Sequence, residues 1–281
     1  MTTTTPDQWR RARNLSADQT GSIHDDDQAR SLGFQAALIG GSITCAFAVE
    51  RLVHCFGEAW HERGFLKQAF IAPLYEIDDF RVLVGDLDPD EGDEALVSVA
   101  LEKRDGGRVT AGYAGLTAAA GPGVPPWERP GEQPSQSIGG DPLPGVAVGA
   151  EYPTYTRTLT VAESQSRREM TGDASSWYAE RSPWGGPVMP SFQYMLLGGG
   201  GAPEGGFRAD PPIRAGMNGT FQLQQFGPLM IGEPYTIAGS LAEKGFSTRS
   251  AYRTNEFTVT DVGGRRVAIA RQKARWMASP R

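Results

Sequence analysis

The chain has 281 residues, 39% hydrophobic and 21% charged, with a formal net charge of −6. That length suggests two domains or one large pseudo-symmetric unit, and the balance excludes disorder throughout. The acidic excess, 33 Asp and Glu against 27 Lys and Arg, argues against a general nucleic-acid binder, which needs a contiguous basic surface to neutralise phosphates.

In chain order, a polar leader (1–14) precedes DQTGSIHDDDQARSLGF (18–34), where His24 stands between a glycine-containing turn and a helix start. Asp25, Asp26 and Asp27 read as the cap and first-turn charges of that helix. AALIGGSITCAFAVERLVHCFGEAW (36–60) predicts a longer apolar helix. It carries both cysteines, Cys45 and Cys55, and one helix holds them too far apart to bridge. Strands follow, and ALVSVALEK (95–103) alternates apolar and polar residues, as expected for an antiparallel sheet with one buried face. The stretch 121–145 is rich in Pro, Gly and Ser without periodicity and reads as a linker. Beyond it lie a short leading strand, a short helix, an apolar helix and more strands, among them RSAYRTNEFTVTD (249–261). No apolar run reaches the roughly 18 residues of a membrane span, and no secretory leader opens the chain, so the expected location is cytoplasmic.

The second half repeats the first. FIAPLYEIDDFRVLVGDL (70–87) aligns with FGPLMIGEPYTIAGSL (226–241), residues 104–118 with 261–278, and 33–43 with 184–196, all in the same order. The expected organisation is an N-terminal repeat at 1–120, a Pro/Gly-rich linker at 121–150 and a C-terminal repeat at 151–281. Each repeat is an α+β unit in which an antiparallel sheet covers one long helix.

GSIHDDDQARSLGFQAALIGGSI followed by FIAPLYEIDDFRVLVG resembles the MaoC-like hydratase/dehydratase family, and the repeat makes the chain resemble its double hotdog form. The resemblance covers roughly residues 14–120 and 152–278. It implies a lyase that adds water to an enoyl thioester or removes it from a 3-hydroxyacyl thioester, using an aspartate and a histidine five positions apart. Here the first half keeps His24 and Gly33-Phe34 but has Gln19 where the aspartate belongs. The second half keeps Asp173, after Thr171-Gly172, but has Tyr178 where the histidine belongs. The dyad is therefore degenerate.

On the resemblance, Asp173, Tyr178 and His24 are the catalytic candidates, and Trp177, Trp184, Gly185, Gly186 and Gln19 the substrate-binding ones. Gly40-Gly41 and Gly185-Gly186 are candidate helix starts whose N–H groups would hold an enolate oxygen. The implied partner is an acyl or polyketide-like substrate on coenzyme A or an acyl carrier protein, with no cofactor, metal, nucleic acid or membrane, and with homodimer formation left open. The broken dyad leaves two alternatives. One is a repurposed cyclase of natural-product biosynthesis that closes rings in a polyene or polyketide-like substrate. The other is a non-catalytic lipid-binding hotdog.

Overall fold

A computed structural model describes residues 8–85, 96–117, 140–171, 175–197, 216–248 and 250–277. Its elements are α1 (Asp26–Ser31), α2 (Gly41–Phe56), α3 (Glu58–Arg63), β1 (Gly64–Phe70), β2 (Phe80–Val84), β3 (Leu96–Lys103), β4 (Arg108–Leu116), β5 (Tyr155–Thr158), α4 (Val161–Thr171), β6 (Gly216–Gln225), β7 (Pro234–Phe246), β8 (Ser250–Thr260) and β9 (Arg266–Met277). Short 3₁₀ turns run over Ser176–Tyr178 and Ser191–Gln193.

Among the described residues the strands form one nine-stranded sheet in the order β2-β3-β4-β1-β6-β9-β8-β7-β5. Read outward from the central β1/β6 pair, each side runs through the strands that the repeat makes equivalent: β4 and β9, β3 and β8, β2 and β7. The halves join by antiparallel pairing of β1 with β6, from Phe65 opposite Gln224 to Ala69 opposite Thr220. Backbone hydrogen bonding across that seam makes the two repeats one continuous sheet. The extra edge strand β5 pairs with β7, and among the described residues of the first half the isolated Arg10–Phe80 bridge occupies the matching edge.

α2 packs on the sheet because its run from Ile43 to Val49 is almost wholly apolar. Ile43 through Val49 and Leu52 are buried, and they share one core with Leu66, Phe80, Phe221, Leu223, Phe257 and Val259 from both halves. The predicted helix over 36–60 is shorter than expected at both ends. Residues 36–40 lie outside any helix, with Ile39 donating to Leu74 O, and Gly57 at φ +58° breaks the chain before α3. Cys45 and Cys55 both lie on α2 and are free. Most of the linker falls outside the described residues, but its C-terminal end packs on β7, where Leu143 buries against Leu241.

A buried polar relay ties the halves together beneath the seam. Trp60 Nε1 donates to Ser191 Oγ at 3.1 Å, Ser191 Oγ donates to Gln225 Oε1 at 2.7 Å, and Gln225 Nε2 donates back to Trp60 O at 2.6 Å. All three residues are buried. Ser191→Ala would strand the Trp60 and Gln225 groups without solvent, and it is expected to cost about 1–3 kcal/mol in urea unfolding.

Candidate active site

His24 is fixed by what surrounds its backbone. Ile23, Ala29, Leu38 and Tyr75 form a small satellite core, and the Leu38 N–H donates to Ile23 O, which lays the segment entering α2 beside the histidine. Asn14 Nδ2 donates to His24 O at 2.8 Å, and His24 N donates to Ser22 Oγ at 3.1 Å. The ring is half-buried, and its Nδ1 lies 2.7 Å from Leu38 O. A carbonyl oxygen only accepts, so Nδ1 carries the hydrogen and the lone pair of the neutral ring sits on Nε2. A backbone carbonyl thus does the orienting that a carboxylate would otherwise do.

The ring stands at the start of α2, its Cε1 at 3.7 Å from where a Cβ on Gly40 would be. Gly40 caps α2 without a side-chain bond, and its carbonyl accepts from the N–H groups of Ile43 and Thr44. The first-turn N–H groups of Gly41 and Ser42 therefore have no partner within the helix, at the positive end of its dipole. Both residues are half-buried, whereas Ile43 to Val49 are buried. The helix start is thus open to solvent ahead of the buried turns, as is the far end of α2, where His54 and Cys55 are exposed.

One residue of this constellation was not among the expected ones. Asn218, on β6 of the second half, packs directly against Gly41: a Cβ on Gly41 would lie 2.9 Å from Asn218 Cγ and closer still to Nδ2. The β6–β9 register slips between Asn218 and Thr220, a bulge of the kind that re-aims a side chain, and Gln272 Nε2 donates to Asn218 Oδ1 at 2.7 Å. The sequence signal was Asn-Gly inside an otherwise alternating strand, which marks a bulge.

The acidic residues near His24 are committed elsewhere. Asp25 caps α1, accepting from Asp27 N and Gln28 N. The Gln28 N–H is the main cause holding its carboxyl below the ordinary range, with Gly21 and Asp27 N–H adding to it against a smaller upward push from burial. Asp26 accepts from Ala37 N at 2.7 Å and from Arg30. Gln19, five residues before His24, lies exposed in a turn.

The second-half candidates form a separate group. Trp177, Tyr178 and Trp184 surround His61 of α3, with ring centroids 6.2, 6.0 and 5.5 Å from the imidazole. Tyr178 is fully buried, and Arg168 lies over its ring. Trp184 Nε1 donates to Glu62 at 3.2 Å. His61 is 1% exposed, neither ring nitrogen has a hydrogen-bond partner among the described residues, and burial pushes its pKa down to about 4. Gly185 and Gly186 form a turn here and not a helix start. Gly185 N donates to Ser182 O, and the 3₁₀ turn begins only at Ser191, whose surroundings are buried. Asp173 lies outside the described residues.

The architecture is that of a double hotdog. Solved structures of that class match nearly the whole chain. Rv0216 of Mycobacterium tuberculosis, a conserved hypothetical protein with a double hotdog fold, aligns at a TM-score of 0.61 and 13% identity over 97% of both chains. A MaoC-domain protein assigned as a dehydratase, from Chloroflexus aurantiacus, aligns at 0.57 and 13% over 100% of both. A protein assigned as an oleoyl thioesterase, from Lactobacillus plantarum, aligns at 0.50 and 7% over 97% of this chain and 96% of that one. No protein-family model and no curated protein sequence matches the chain. The likeness shows the fold. Among the described residues no helix is long and apolar enough to cross a membrane.

Proposed function

We propose that the protein is a lyase that interconverts enoyl and 3-hydroxyacyl thioesters, the acyl group being carried by coenzyme A or an acyl carrier protein. The observation that carries this reading is His24, with Nδ1 held on Leu38 O and Nε2 available, beside the uncapped start of α2. In the elimination direction, His24 Nε2 takes the proton from the carbon next to the thioester carbonyl. The electron pair moves onto the carbonyl oxygen, where the first-turn N–H groups of Gly41 and Ser42 stabilise it. As the enolate collapses, the C–O bond at the β carbon breaks and the imidazolium returns its proton to the departing hydroxide, releasing water. One imidazole serves both proton transfers, so the reaction needs no aspartate at position 19.

The ring-closure alternative starts from the broken dyad, and Trp177 and Trp184, expected to bind substrate, pack with Tyr178 around His61, which lends it no added support. Asp173 keeps its place as a ligand-orienting candidate, and Asp173→Asn is expected to lower turnover by more than about tenfold.

The test is to incubate purified protein with crotonyl-coenzyme A, following the enoyl absorbance and free thiol separately. The expected result is loss of conjugation with no thiol release. Thiol release would indicate a thioesterase, and inactivity at every chain length would contradict the lyase.

A further inference from the structure

We propose that the active site is composite across the two repeats, with Asn218 of the second half donating from Nδ2 to the substrate's thioester oxygen alongside the first turn of α2. The assignment rests on the lyase reading and adds to it a catalytic residue from the other repeat. Three observations converge. Asn218 stands so close to Gly41 that no side chain fits between them, which sets its amide against the same turn whose N–H groups have no helical partner. Its carbonyl end is occupied by the Gln272 amide, so the NH₂ end is the one presented toward the helix start. The bulge at Gly219 removes Asn218 from the regular alternation of β6, and Gly219 is itself confined by Arg275, where a Cβ would come within 2.9 Å of Nε. Asn218 is half-buried, open enough to meet a ligand and enclosed enough for a hydrogen bond to count.

In this arrangement His24 flanks the turn at Gly40 and Asn218 flanks it at Gly41, so a thioester oxygen over the turn has its reacting carbons on the imidazole side. Glycine at 41 has a reason beyond helix capping, since it makes room for the amide.

Two measurements test it. In crotonyl-thioester hydration, Asn218→Ala is expected to lower kcat by about 30- to 1,000-fold with KM changed less than about threefold, as for loss of one oxyanion donor. Asn218→Asp, which keeps the shape and removes the donor, is expected to be at least as impaired. A normal kcat in Asn218→Ala while the wild type is active would overturn the assignment and leave the lyase reading intact. Absence of wild-type activity would overturn both. Independently of activity, Gly41→Ala is expected to lower the melting temperature in the wild-type background and to lower it clearly less in the Asn218→Ala background, where only the Cβ contact at 3.1 Å remains. Equal losses in the two backgrounds would overturn the contact on which the proposal stands.

Discussion

Alanine at position 24 is expected to lower kcat/KM for crotonyl-thioester hydration by about 10²- to 10⁴-fold, the range a positioned acid–base group contributes. The effect should be this large because, among the described residues, His24 is the titratable side chain at the start of α2 that is not already spent: Asp25 and Asp26 cap and tether α1. The fold should survive. The ring is half-buried and gives up one hydrogen bond to Leu38 O, a loss of about 1 kcal/mol. His24→Gln separates orientation from proton transfer, because an amide can still donate to Leu38 O but cannot take a proton from carbon. It should be folded and as inactive as the alanine variant. Activity within a few fold of wild type in either variant would remove His24 from the mechanism.

Acid is expected to destabilise the protein through His61, with a loss of about 3 kcal/mol between pH 6.5 and pH 4 from this one residue. Burial pushes the His61 pKa from 6.5 down to about 4. Between those two values the unfolded chain binds a proton that the folded chain refuses, so unfolding becomes easier as pH falls. The contribution is fully present above pH 6.5 and is exhausted near pH 4. At 1% exposure, screening by solvent offers little relief, and the rings of Trp177, Tyr178 and Trp184 supply no conventional acceptor. Urea unfolding of the wild type and of His61→Phe at pH 7, 5.5 and 4.5 checks this. The variant should show about 2 kcal/mol less pH dependence between pH 7 and pH 4.5, and identical slopes would mean that the imidazole finds a partner.

Much of the architecture could be read from residue order. The alternation in 95–103 and 249–261 matches β3 and β8, and two of the three matched pairs fall on equivalent strands, β2 with β7 and β4 with β9, whereas the third, 33–43 with 184–196, pairs the start of α2 with a turn and a 3₁₀ turn. The β1–β6 seam could not be read, since a repeat states that two units are alike and not which edges pair. The helix over 36–60 was overextended because Ala36 to Ile39 are apolar for a different reason: Leu38 and Ile39 bury outside any helix, one beside Ile23 and the other against the main core. Gly185-Gly186 looked like Gly40-Gly41 in sequence, and only the backbone separates a turn closed by Ser182 from a helix start. At the candidate site, His24 is the residue that the motif singles out. Its orienting partner could not be read, because Leu38 contributes a main-chain oxygen that has no sequence signature. Asn218 was visible only as an asparagine-glycine pair in a strand. Its meaning depends on a bulge in β6 meeting a helix nearly 180 residues earlier in the chain.

A crystal structure with butyryl-coenzyme A, a saturated thioester that cannot react, tests the central claim most directly. It should place the thioester oxygen about 3 Å from the Gly41 or Ser42 N–H, with the acyl β carbon facing His24 Nε2. An acyl chain lodged among Trp177, Trp184 and His61, with the start of α2 left to water, would contradict it.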